Sequence, residues 1–150
     1  SKGLIGELEK LSPQGVSSLM GLSDKLGALN YQRFQEWQLP FTKNNAKQAI
    51  LAFKGDVYTE FTFQKYKEED FDYAQKHLRI LSGLYGLLRP LDLIQPYRLE
   101  MGTKLVTPQG KDLYDFWSSI LTNALNKTIK NSGDQILINL ASKDISLLLS

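Results

Sequence analysis

The chain has no cysteine and a single histidine, His77. The first absence excludes disulfides, thiolate metal sites and cysteine nucleophiles. The second excludes a histidine-rich metal centre and any proton relay between two imidazoles. No apolar run approaches the ~18 residues that a membrane-spanning helix needs. No cationic, then apolar, leader follows Ser1. Walker and dinucleotide fingerprints are missing, and no serine sits in a nucleophile-elbow pattern. These absences lead to the expectation of a cytoplasmic protein with no membrane association, no cofactor and no metal site.

What is present is a core-forming composition. Of 150 residues, 42% are hydrophobic and 11% aromatic, which is too apolar for wholesale disorder. The length fits one domain or part of one. The net charge of +2 says little about partners, but its distribution says more. Between positions 76 and 111, Lys76, Arg79, Arg89, Arg98, Lys104 and Lys111 stand against only Asp92 and Glu100, a local net charge of +4. Such an excess points to a phosphate-bearing partner, or to no more than a solvated face.

Periodicity and punctuation predict a helix-rich chain with one or more short strands, in class α/β or α+β. Ser12-Pro13 is a hydroxyl cap followed by proline at a first helical position. Leu19, Leu22, Leu26 and Leu29 then form one apolar stripe, with a restart at Ser23-Asp24 after Gly21, and Tyr31, Phe34 and Trp37 extend it to Pro40. Thr42 or Asn44 caps a second helix carrying Ala46, Ala49, Ile50 and Phe53, which Gly55 ends. Glu68, Glu69, Asp70 and Asp72 precede Phe71, Ala74, Leu78 and Leu81, a helix over 69–81 with Lys76 and Arg79 outward. Pro90 and Pro96 prevent one continuous helix over 87–99. Leu105-Val106-Thr107 reads as a strand and Pro108-Gln109-Gly110 as a turn. The strongest helix spans 111–130, closed by Asn131-Ser132-Gly133. Gln135 to Leu140 reads as a strand buried on both faces.

Few constellations carry chemistry. His77 lies at the rim of an apolar helix face and reads as a packed boundary residue. The carboxylate pairs Glu68/Glu69 and Asp112/Asp115 are accounted for by first helical turns. The stretch from Leu81 to Gly102 is different. Gly83 and Gly86 flank Leu84-Tyr85 and permit a positive φ and a close backbone approach. A turn of that kind exposes amide donors for phosphate, with Arg89 and Arg98 as bidentate partners and Tyr85 and Tyr97 as stacking groups. Leu81-x-Gly83-Leu84-x-Gly86 also fits the hairpin of a helix-hairpin-helix module, although Pro90 would cut its second helix short. The bland alternative is a proline-braced connector whose arginines cap helix ends.

Three long motifs carry a specific resemblance: Phe53-Lys54-Gly55-Asp56-Val57-Tyr58, Leu81 to Asp92, and Pro96-Tyr97-Arg98-Leu99-Glu100-Met101-Gly102. Ser23-Asp24-Lys25-Leu26, Gln48-Ala49-Ile50, Asp112-Leu113-Tyr114 with Trp117, and Ile138-Asn139-Leu140-Ala141-Ser142 add to it in the same order. Over roughly 10–142 the chain resembles the YaaA family of bacterial peroxide-stress proteins. The resemblance implies a cytoplasmic protein of a family-specific α/β fold with a small buried sheet and a helix-hairpin-helix-like element. It also implies DNA binding in a basic cleft, protection against iron-dependent oxidative DNA damage, and no established catalysis. On this ground the chain is expected to be one partial domain, lacking the family's first strand and C-terminal part, with 143–150 an aberrant apolar tail.

The expected phosphate-binding set is Lys54, Ser82, Gly83, Tyr85, Gly86, Arg89, Tyr97, Arg98 and Lys104, with sequence-independent contacts to DNA. The second hypothesis is an enzyme or binding protein for a nucleotide or base, with a pocket around the Gly83–Gly86 turn made by Lys54, Ser82, Tyr85, Arg89, Tyr97, Arg98 and Glu100, the last as acid or base. A dedicated iron site is a poor third, with one His and no Cys to supply it.

Overall fold

The computed structural model describes residues 1–55, 58, 60–133 and 135–141. Among these residues there are six α-helices, one 3₁₀ turn and two small two-stranded sheets, a mixed α/β fold. They belong to two compact units: Ser1–Trp37, Leu81–Leu87 and the chain from Tyr97 onward in one, and Gln38–Ile80 with Leu88–Pro96 in the other.

The first unit begins with helices α1 (Lys2–Leu8), α2 (Pro13–Met20) and α3 (Asp24–Gln35). Ser12 caps α2 as expected, its Oγ accepting from the Gly15 amide at 3.0 Å. Gly21 closes α2 at φ 61°, a left-handed turn that glycine adopts without strain. The turn also rotates the apolar stripe. Leu26 and Leu29 are each 41% exposed, whereas Gly27, Asn30 and Phe34 are buried. Gly27 is the reason: a Cβ there would collide with the Ser17 side chain, so its missing side chain lets α3 lie close against α2. Helix α6 (Leu113–Asn131) has Leu113, Trp117, Leu121 and Leu125 buried at helical spacing, the first three in the same core. Asp112 caps it, Oδ1 accepting from Asp115 N at 2.9 Å. The core of this unit is Leu4, Ile5, Leu8, Val16, Phe34, Leu84, Leu99, Met101, Leu105, Leu113, Trp117 and Leu121.

In the second unit, strand β1 (Lys47–Gln48) pairs antiparallel with β4 (Leu93–Ile94), Lys47 opposite Ile94 and Gln48 opposite Leu93. Helix α4 is short (Ala49–Ala52); its first two amides donate to the carbonyls of Asp92 and Pro90 at 2.9 Å. That pairing holds 49–52 where the longer helix from Thr42 or Asn44 was expected; Thr42 instead belongs to a turn closed by Asn45 Oδ1. Helix α5 runs from Glu68 to His77, with Asp70 accepting from the Lys67 amide at its start. It ends four residues sooner than the periodicity implies. Arg79 folds back onto its last carbonyls, and Ile80–Ser82 becomes strand β2, paired with β3 (Gly86–Leu88). His77 is exposed and stacks on Tyr73 with ring centroids 4.3 Å apart. Phe53, Tyr58, Phe61, Phe63, Tyr66 and Phe71 meet one after another at centroid distances between 5.3 and 6.3 Å. Burial pushes the Tyr58 phenol above its ordinary pKa.

Two expectations about the glycine turn and the last strand change. The Gly83–Gly86 connection joins β2 to β3, so it is a β-hairpin turn and not the hairpin of a helix-hairpin-helix element. Residues 135–140 form no strand among the described residues, and Ile138 is 76% exposed. A strand needs a hydrogen-bonding neighbour, and composition alone does not provide one. Leu105-Val106-Thr107 likewise belongs to no sheet, except for the bridge from Thr107 to Gly110 that closes the predicted turn. The sequence from 142 onward, with its apolar end, lies outside the described residues, as do Asp56 and Val57 of the first motif.

Candidate functional site

Five of the nine predicted residues come together in the first unit. Ser82 is 3% exposed. Its Oγ accepts from the Tyr85 amide at 2.9 Å and shares a hydrogen bond of 2.5 Å with the Tyr97 hydroxyl. The Tyr85 and Tyr97 rings meet edge to face at 5.2 Å. Trp37, 48 residues upstream of Tyr85, donates its indole N–H to the Tyr85 hydroxyl at 3.1 Å. The Ser82 and Tyr97 hydroxyls are thus engaged with each other, and the Tyr85 hydroxyl with the Trp37 indole. Nothing in local spacing could have drawn Trp37 into the cluster, because its contact depends on the path of α3.

The two glycines are required by the backbone. Gly86 sits at φ 77°, and a Cβ there would lie 2.7 Å from Trp117 Cζ3. Gly83 packs against the Leu99 carbonyl so closely that a Cβ would overlap its oxygen. Trp117 completes the lock by donating its buried Nε1–H to the Gly83 carbonyl at 2.8 Å. Gly83, Leu84 and Gly86 are all buried, and the Tyr85 amide is turned inward to Ser82. The turn therefore does not present an outward row of amides, as an anion cradle would require; its close packing anchors the segment that follows.

That segment alternates strictly in burial from Arg98 to Thr107. Leu99, Met101, Thr103, Leu105 and Thr107 are buried, and Arg98, Glu100, Gly102, Lys104 and Val106 are exposed. Arg98 Nη2 donates to Glu100 Oε1 at 2.7 Å, with side chains 49% and 72% exposed. An ion pair this open to water contributes little and is easily exchanged. Lys104 and Lys111 are exposed beyond it.

The remaining two predicted residues belong to the second unit. Lys54 is exposed. Arg89 is held by Asp92, whose Oδ1 accepts from its Nε at 3.1 Å and its Nη2 at 2.9 Å. Among the described residues, no three imidazole or carboxylate groups gather to hold a metal ion, and no helix is long and apolar enough to cross a membrane.

A glycine-locked hairpin, followed by a cation-bearing segment that turns between Glu100 and Thr103 and buries every second residue, defines a protein of mixed α/β fold with exposed charge set between buried positions. Comparison with known proteins gives that fold a family: the model for the peroxide stress protein YaaA matches residues 1–149, and the chain belongs to this family. A UPF0246 protein of Teredinibacter turnerae is 62% identical over 141 residues, covering 94% of this chain and 55% of that protein. The chain thus spans about half the length of the curated relative it matches.

Proposed function

We propose that the chain acts in peroxide resistance by binding DNA through its phosphate backbone in the cytoplasm, limiting iron-dependent oxidative damage to it. One observation carries the DNA part of this reading. In the first unit, Arg98, Lys104 and Lys111 are exposed along a stretch whose single acidic residue is Glu100. Buried alternate residues pin that stretch, so its cations are presented at little conformational cost. Lys54 and Arg89 add exposed charge in the second unit. Tyr85 and Tyr97 serve here as the support of the segment, since their hydroxyls are engaged within the cluster.

Phosphate contacts fix position without reading sequence. Two unrelated duplexes should therefore bind with affinities within about threefold of each other, and the double variant Arg98→Ala/Lys104→Ala should weaken both alike. Unaltered affinity in that variant, or no binding to either duplex, would overturn the reading.

A further inference from the structure

The open end of the β2–β3 hairpin carries a charge arrangement that the site above does not use. Strands Ile80–Ser82 and Gly86–Leu88 are equal in length and joined by a three-residue turn. So short a connection makes the pair antiparallel. The residues just outside it, Arg79 and Arg89, therefore stand at facing ends, both in the second unit. Like charges so placed repel.

The two guanidinium groups are anchored separately. Arg79 Nη1 donates to the carbonyls of Gln75, Lys76 and Leu78 at 3.1, 3.3 and 2.7 Å. These carbonyls lie at the C-terminal end of α5, where the helix dipole favours a cation. Arg79 makes its hydrogen bonds among the described residues through Nη1, which leaves the Nε and Nη2 edge outside them. Arg89 takes Asp92 instead, and the Asp92 carboxylate also accepts from the Arg89 amide at 2.8 Å. Asp92 is thus committed to Arg89 and its turn. Burial, followed by the Arg89 charge, depresses the Arg79 pKa, while Asp92 acts in the other direction.

We propose that Arg79 and Arg89 form a two-arginine site for a phosphate group, with Asp92 occupying the Arg89 fork until phosphate displaces it. Two planar forks match the oxygens of a phosphate bidentately, and one local carboxylate leaves the pair net cationic. The inference rests on the phosphate-binding reading above and adds Arg79 to it. Both a nucleic-acid backbone and free inorganic phosphate carry this chemistry.

The test follows the arginine side-chain ¹⁵Nε resonances of the full chain by NMR during titration with inorganic phosphate, and separately with a short DNA duplex. Phosphate should move the Arg79 and Arg89 signals together along one saturable curve. Asp92→Asn keeps an acceptor for the turn but removes the competing charge, and should tighten phosphate binding about threefold. Arg89→Gln should abolish the response of Arg79. Arg79→Lys retains the charge without the fork and should weaken binding while preserving α5. Unmoved Arg79 and Arg89 signals, or Asp92→Asn binding no tighter, would overturn the proposal. If the duplex moves Arg98 while neither titrant moves the pair, the pair falls and the DNA reading stands. If phosphate saturates the pair and no duplex binds, the pair stands as a site for free phosphate and the DNA reading falls.

Discussion

Replacing Gly86 by alanine tests the hairpin lock at its tightest point. Two costs add. The backbone lies at φ 77°, and a side chain in left-handed geometry costs roughly 1–2 kcal/mol. The new Cβ would also meet Trp117 Cζ3 at 2.7 Å and Cη2 at 2.9 Å, so the indole must move. That ring is not the loose end of a flexible chain: its Nε1–H is spent on the buried Gly83 carbonyl at 2.8 Å, and its plane packs edge-on to Phe116 at 4.9 Å. Pulling the indole away leaves a buried polar pair unsatisfied, at about 1–3 kcal/mol. The expected loss is therefore about 2–5 kcal/mol, a large share of the ~5–15 kcal/mol by which a domain is stable. Gly133 is the control. It has φ 82° with nothing within 4 Å of a Cβ, so Gly133→Ala should show the backbone cost alone. Urea unfolding followed by tryptophan fluorescence measures both. Equal losses in the two variants would refute the packing argument.

Further predictions concern the same elements. Ser82→Ala leaves the Tyr85 amide and Tyr97 hydroxyl without their shared partner and should cost about 1–3 kcal/mol, more than Tyr97→Phe, which leaves the Ser82–Tyr85 bond in place. Urea midpoints in the opposite order would contradict that. Asp112→Ala should lower stability by about 1 kcal/mol, and Asp112→Asn by much less, because the cap of α6 needs an acceptor rather than a charge; equal losses would show that the charge matters instead. Leu121→Ala should cost about 2–5 kcal/mol at a position 1% exposed. Ile138→Ala, at a position 76% exposed, should change stability by less than about 0.5 kcal/mol in the same denaturation assay.

How far the residues foretell the structure depends on whether the deciding interaction is local. Helix α6 was legible almost to its ends, because Asp112, the apolar period and Gly133 are all signals carried within the helix or beside it. The end of α5 was not. Leu78 and Leu81 continue the apolar period, but Arg79 caps the carbonyls and the pairing with Gly86–Leu88 draws Ile80–Ser82 into a strand. The exposure of Leu26 and Leu29 has the same origin, since the close approach at Gly27 sets how α3 is turned. At the site, the glycine requirement at Gly83 and Gly86 could be read from their spacing. Their partners could not: Leu99 and Trp117 are distant in sequence, and they turn an expected open cradle into a sealed support. The alternation from Arg98 to Thr107 is visible only in part in the residue types, because Thr103 and Thr107 are polar at buried positions and Val106 is apolar at an exposed one.

The most direct test of phosphate-backbone binding is the salt dependence of duplex affinity. Each neutralised phosphate in duplex DNA should contribute about 0.9 to the slope of log affinity against log salt. The chain should therefore lose affinity linearly on that scale, and Arg98→Ala and Lys104→Ala should each reduce the slope by about one unit. A slope near zero, or slopes unchanged in both variants, would contradict the account.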